Sequence, residues 1–144
     1  MTVDEILRSK GEGVHTLDPH ATVDTAIHRL RLENIGALVV SADGVHADGI
    51  FSERDMVRLV SESGCESLRM EVGTVMTRHV QTCRRESKLQ DVMATMSRMR
   101  FRHMPVVEND ELIGLVSIGD LVRYRLEELE TESQILRERV LGNS

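Results

Sequence analysis

The sequence predicts an α+β fold (α/β sandwich-like) made of two β-α-β-β-α units, with a long helix added at the C-terminal end. Three observations predict it. One phrase occurs twice, as Gly49-Ile50-Phe51-Ser52-Glu53-Arg54-Asp55 and as Gly114-Leu115-Val116-Ser117-Ile118-Gly119-Asp120. Upstream of it, Val23, Ala26, Ile27 and Leu30 stand opposite Leu89, Val92, Met93 and Met96. Both sets have the i, i+3, i+4, i+7 spacing of a helix with one buried face. Between helix and phrase, Ala37-Leu38-Val39-Val40 stands opposite His103-Met104-Pro105-Val106. A repeat this long is a supersecondary unit, and each copy can cover the apolar face the other leaves exposed.

The elements follow in order. Residues 1–13 read as a short amphipathic lead-in helix, broken by Gly11 and Gly13. The first copy spans 14–61. In it, 14–16 is a short strand, Asp18-Pro19 turns the chain, and a helix covers 22–33. A strand at 37–41 passes through Ala42-Asp43-Gly44 to another at 48–51, and a helix follows over 52–61. Residues 62–79 are linker and approach to the second copy, with 61–70 polar. The second copy spans 80–125 and opens with a strand at 80–82. Its first helix has a capping-box start in Ser87-x-x-Gln90, and Asn109-Asp110 is its hairpin turn.

The last helix is expected over 118–141, and 126–144 extend beyond the second copy. Val122, Leu126, Leu129, Ser133, Leu136 and Val140 alternate spacings of four and three, a coiled-coil-like seam with one polar interruption. Such a helix either packs back on its own chain or meets a second copy. The repeats are complete near Arg125, which favours the homodimer.

Composition narrows the function. The chain has 144 residues and is 40% hydrophobic, enough for one domain or two small halves sharing a core. A net charge of −6 and only three aromatics (Phe51, Phe101, Tyr124) argue against nucleic acid. No apolar stretch reaches the ~18 residues of a membrane helix. The start lacks the pattern of a secretory signal. Cys65 and Cys83 form neither a zinc spacing nor a disulfide framework, so a cytoplasmic protein is expected. His15 and His20 have no evident third ligand, and no metal site is expected. Met93, Met96 and Met99 read as packing. No Gly-x-Ser-x-Gly, His-Glu-x-x-His or P-loop is present, and an enzyme is not expected.

The duplicated phrase carries the chemistry. Each copy is an apolar strand running into a helix start, where free N–H groups and the helix dipole favour a phosphate. The Asp beside it offers two acceptor oxygens, which suit a ribose diol. Two such points suggest a paired nucleotide site, to which Arg54, Arg102 and His103 could add positive charge. Ser-x-x-Asp is also close to a plain capping box, and His103 reads equally as a half-buried structural histidine.

Further motifs join these. Val72-Gly73-Thr74-Val75-Met76-Thr77 precedes the second copy, and Phe101-Arg102-His103-Met104-Pro105-Val106-Val107 forms its central strand. With Ser52-Glu53-Arg54-Asp55 and Val116-Ser117-Ile118-Gly119-Asp120-Leu121, they resemble a tandem pair of cystathionine-beta-synthase (CBS) domains, or Bateman module, of the small stand-alone bacterial kind. The resemblance covers roughly residues 3–125. It implies two repeats packed sheet to sheet with pseudo-twofold symmetry and two clefts between them. It also implies a regulatory ligand of the adenine class (AMP, ATP, S-adenosylmethionine or NAD(H)), no catalytic cofactor, a homodimer and an unknown effector protein.

Carried over by position, Asp55 and Asp120 would hold ribose hydroxyls, and Ser52 and Ser117 the phosphate. The adenine at the Asp120 cleft would meet Thr16, Ala21, Ile35, Gly36 and Ala37. The Asp55 cleft would use Thr82, Arg102, His103 and Met104. Small residues at Gly36 and Ala37 would leave room for the base. Arg54 offers a bidentate fork to phosphate where Gly119 offers only backbone, so the two clefts are not expected to be equivalent. The implied function is a ligand sensor. The other reading is a structural CBS dimer that scaffolds a partner with no ligand bound.

Overall fold

A computed structural model describes residues 1–11 and 13–142; residue 12 of the expected lead-in and residues 143 and 144 of the expected extension lie outside the described residues. The chain begins with α1 (Val3–Lys10) and continues through β1 (Thr16–Leu17), α2 (Val23–Glu33), β2 (Ala37–Val40), β3 (Gly49–Ser52) and α3 (Glu53–Ser63). A 3-10 helix (Gly64–Arg69) and α4 (Val72–Val75) lead to α5 (Leu89–Met99), β4 (His103–Glu108), β5 (Glu111–Ser117) and the long α6 (Ile118–Gly142). One sheet has the order β1-β2-β3, with β1 parallel and β3 antiparallel to β2; the other pairs β4 with β5 antiparallel.

The duplication is visible bond by bond. The α2 helix ends at Asn34 in the left-handed region (φ 52), and Ile35 N–H returns to the Leu30 carbonyl at 3.1 Å. The α5 helix ends at Arg100 (φ 60), and Phe101 N–H returns to Met96 at 3.0 Å. Both are left-handed stops that satisfy the last carbonyls. Glu53 N–H then donates to Gly36 in the first copy, and Ile118 N–H to Arg102 in the second.

Each lead-in segment docks on the unit that does not follow it. Val3 and Asp4 N–H donate to the carbonyls of Ser87 and Arg85, at 2.9 and 3.0 Å. Val72 and Gly73 N–H donate to those of Ala21 and Pro19, at 2.8 and 2.9 Å. Val3, Ile6 and Leu7 of α1 are thereby buried with Leu89, Met96, Met104 and Val116. Val72 is buried with Val23, Leu38 and Phe51. Burial of such a side chain is worth about 1.5–3 kcal/mol, so the exchange ties the two units together.

Three local expectations are corrected. The strand expected at 80–82 is reduced to a single parallel bridge, Cys83 with Val106. The reason is Pro105. In the first copy Val39 N–H donates to His15, but Pro105 stands in its place and has no N–H to donate. The capping box at Ser87 does not form: Ser87 Oγ accepts from Arg84 N–H, Lys88 is the N-cap without a side-chain bond, and the Met1 carbonyl takes the Leu89 N–H. The stretch read as polar linker, 61–70, is helical along most of its length, and Ser67 is fully buried with its hydroxyl donating to Gly64.

Candidate functional site

Two cavities open between the units, and they share a wall made by Gly36 and His103. The larger, about 670 Å³, is bordered by the end of α1, the turn before β2 and the start of α6, including Lys10, Ile35, Ala37, Ser117 and Asp120. The smaller, about 260 Å³, is bordered by the start of α3 and the turn before β4, including Ser52, Arg54, Asp55, Thr77, Arg100 and Arg102.

The Ser-x-x-Asp pairs are built alike. Ser52 N–H donates to Asp55 Oδ2 at 2.8 Å, and Asp55 N–H points at Ser52 Oγ at 3.4 Å, a full capping box. Ser117 N–H donates to Asp120 Oδ2 and Asp120 N–H to Ser117 Oγ, both at 3.1 Å. An arginine one turn on approaches each Oδ1: Arg58 at 3.4 Å and Arg123 at 3.5 Å. Thus the capping role and a place at a cavity coexist in the same residues.

The two clefts differ in their cations. In the large one, Lys10 Nζ donates to Asp120 Oδ2 at 2.8 Å and to the Leu115 carbonyl at 3.1 Å. Burial is the largest influence on the Asp120 carboxyl and pushes its pKa up, but the Lys10 ammonium and the Ser117 donors together outweigh it and hold it below 3.8. His103 is the opposite case: burial, reinforced by Lys10 and Arg102, lowers it below 6.5 against the pull of Asp120 and Glu53, so it is neutral at pH 7. In the small cleft Arg54, Arg100 and Arg102 make no ion pair among the described residues.

Of the residues singled out from the sequence, Ile35, Gly36, Ala37, His103, Ser117 and Asp120 border the large cavity. Gly36, Ser52, Arg54, Asp55, Arg102 and His103 border the small one. Five border neither. The Thr16 carbonyl accepts from Arg29, Ala21 packs on the first core and its carbonyl accepts from Val72, and Thr82 is exposed. Met104 is buried in the second core, and Gly119 faces an open groove along α6. Gly36 borders both cavities, and a Cβ added there would meet the His103 ring at 3.2 Å. Lys10, Thr77 and Arg100 were missed. Lys10 had a local signal, a basic last turn of α1 just before Gly11, but nothing local pairs it with Asp120.

The chain is thus a duplicated unit with a capped helix start at each of two inter-unit cavities. The family model for the CBS domain matches residues 3–62 and 72–127, and the chain belongs to the CBS-domain family. It is similar to a mitochondrial CBS-domain protein, CBSX3, of Arabidopsis thaliana: 34% identical, covering 98% of this chain and 72% of that one. Its fold matches the crystal structure of a CBS-domain containing protein from Agrobacterium tumefaciens with a TM-score of 0.83, at 42% identity over 87% of this chain and 99% of that one. It also matches CBSX2, solved in complex with AMP, with a TM-score of 0.72, at 27% identity over 88% of this chain and 96% of that one. CBS domains are in general regulatory, non-catalytic modules. No helix among the described residues is long and apolar enough to cross a membrane.

Proposed function

We propose that this protein is a ligand sensor that binds an adenine nucleotide in the clefts between its two units and does no chemistry on it. The observation that carries the reading is the duplicated Ser-x-x-Asp helix start, whose Asp borders a cavity in both copies. The AMP bound by CBSX2 supports the ligand class. AMP, ATP and NAD(H) all present the adenosine and phosphate that these groups suit. The large cavity has the volume of a small-molecule site, and the small one has three arginines for phosphate. The sensing assembly is read as a cytoplasmic homodimer, with α6 as part of its contact and an effector protein downstream.

A second reading is a structural scaffold whose clefts stay empty. The Lys10–Asp120 ion pair favours it, because the carboxylate read as the ribose anchor already has a partner. Mass spectrometry of ligand released by heat separates the two readings, followed by melting curves with AMP, ATP, NAD, NADH and S-adenosylmethionine against GTP. A bound ligand at a hundredfold excess over its Kd adds about 2.7 kcal/mol, a rise of several degrees in Tm. No released nucleotide, and no rise with any adenine compound at millimolar concentration, would leave the scaffold standing.

A further inference from the structure

Lys10 ends α1 and borders only the large cavity, where it reaches a residue read as a ligand anchor. We propose that Lys10 makes this cleft select nucleosides that carry a phosphate over uncharged nucleosides, an inference that rests on Asp120 being the ribose anchor. The argument counts acceptors. A carboxylate offers roughly four positions, two on each oxygen, and a diol that grips it with both hydroxyls needs one on each. Asp120 Oδ2 is full, with Ser117 N–H at 3.1 Å and Lys10 Nζ at 2.8 Å. The Ser117 N–H is a backbone group fixed where β5 ends and α6 begins, whereas the Lys10 ammonium sits on a flexible side chain. Among the described residues Asp120 Oδ1 accepts only from Arg123 at 3.5 Å, so it has a position to spare. Lys10 is therefore the group a diol displaces.

The displaced ammonium stays near the cavity, because Val3, Ile6 and Leu7 anchor α1 in the second core. An uncharged nucleoside takes its anion away and returns nothing. A nucleoside phosphate supplies a new anion, and the charge-assisted bond passes from carboxylate to phosphate. The other basic groups at this cavity do not substitute for Lys10, since His15 faces Glu33 at 3.0 Å and His103 is neutral. The small cleft lacks the device. There the matching position on Asp55 Oδ2 is held by the Ser52 hydroxyl at 3.1 Å, which can rotate aside.

The test is calorimetric titration of the full chain with AMP and with adenosine, fitted for two classes of site. Wild type, Lys10→Met and Lys10→Arg are compared at one ionic strength, and melting curves establish that each is folded; Lys10→Gln replaces Lys10→Met if that variant is not. In one class of sites, Lys10→Met is expected to lower the AMP-to-adenosine affinity ratio by about tenfold or more, through weaker AMP and equal or tighter adenosine. Lys10→Arg keeps the preference. If both compounds bind and the ratio is unchanged in every class of site, the proposal is wrong while the nucleotide reading stands. If neither binds the wild type, both fall together.

Discussion

A Cβ placed on Gly36 would lie 3.2 Å from Nε2 and 3.4 Å from Cε1 of His103. The imidazole therefore fills the space a side chain at residue 36 would need, and the pair forms the partition between the two cavities. In the repeat, Ala37 is the counterpart of His103 and Gly36 the counterpart of Arg102. The sequence symmetry is thus broken at the one wall both clefts share. A ligand that moves the His103 ring in one cleft reshapes the other without any long relay.

Gly36→Val tests that partition. Its Cβ already meets the ring at 3.2 Å, so the branched side chain is expected to press on the ring, and overpacking of this kind costs about 1–3 kcal/mol. The expected result is a lower Tm and weaker binding in both clefts by titration. A loss confined to one cleft would show that the wall is not shared in solution.

The repeat, the element order and the CBS resemblance were legible because they are local. Buried faces of α2 and α5 announce themselves by spacing, and the Asn109-Asp110 turn by composition; both residues do take positive φ, 51 and 65. What was illegible is tertiary. No local pattern says that α1 docks on the second unit and sets Lys10 beside Asp120, or that Met104 faces the core. The capping box at Ser87 was a sound local motif overridden by the turn over 84–87, in which Ser87 Oγ accepts from Arg84 N–H and Ser87 N–H donates to the Arg84 carbonyl. Ser52 and Asp55 met both readings at once, cap and cavity edge.

The two phrase glycines are spaces for the lead-in segments. A Cβ on Gly49 would stand 2.7 Å from the Thr77 carbonyl oxygen, whereas one on Gly114 would stand 2.5 Å from Leu7 Cδ2. A carbonyl fixed by the Ile50–Thr77 bridge cannot yield, but a leucine methyl can turn. Gly49→Ala should therefore destabilise the fold by roughly 1–3 kcal/mol and Gly114→Ala by less. Chemical denaturation of both variants decides it, and the reverse order would contradict the packing described.

His103 predicts an acid-sensitive step. Its folded pKa lies below 6.5 because of burial first, so the unfolded chain binds the proton more readily. Stability is then unaffected above the unfolded value and falls as pH drops from about 6.5 towards the folded pKa. Asp120 acts in a separate window, its contribution disappearing only as pH falls below 3.8 through its depressed folded pKa. Melting curves at pH 7.5 and 5.5 should show a smaller acid loss for His103→Gln than for wild type. A larger loss in the variant would reverse the sign argued here.

The α6 seam predicts an assembly. Val122, Leu126, Leu129, Leu136 and Val140 are all exposed on one chain, which a single helix in water does not favour. Light scattering of the full chain should give a dimer. Truncation after residue 125 should weaken it, and because that also removes Glu128, the partner of the Met1 ammonium, Leu136→Glu with Val140→Glu is the cleaner variant. A monomeric full chain would refute the contact.

The last prediction ranks the ligand-holding groups. Asp120 presents a carboxylate to the large cavity, and a bond from a hydroxyl to a charged group is worth about 1.5–3 kcal/mol, so Asp120→Ala should weaken an adenine nucleotide roughly tenfold or more. Ser117→Ala should do less, because helix N–H groups remain to receive the phosphate after the hydroxyl is gone. Both changes also remove a cap, worth about 1 kcal/mol, so affinities must be compared on folded protein. Asp55→Ala should act likewise on the small cleft. Arg54→Ala should weaken AMP more than adenosine there, though Arg100 and Arg102 border the same cavity and soften the loss. Calorimetry of the Asp55→Ala, Asp120→Ala double variant is decisive. Wild-type affinity and stoichiometry in that protein would mean that the nucleotide is held elsewhere, whatever the fold.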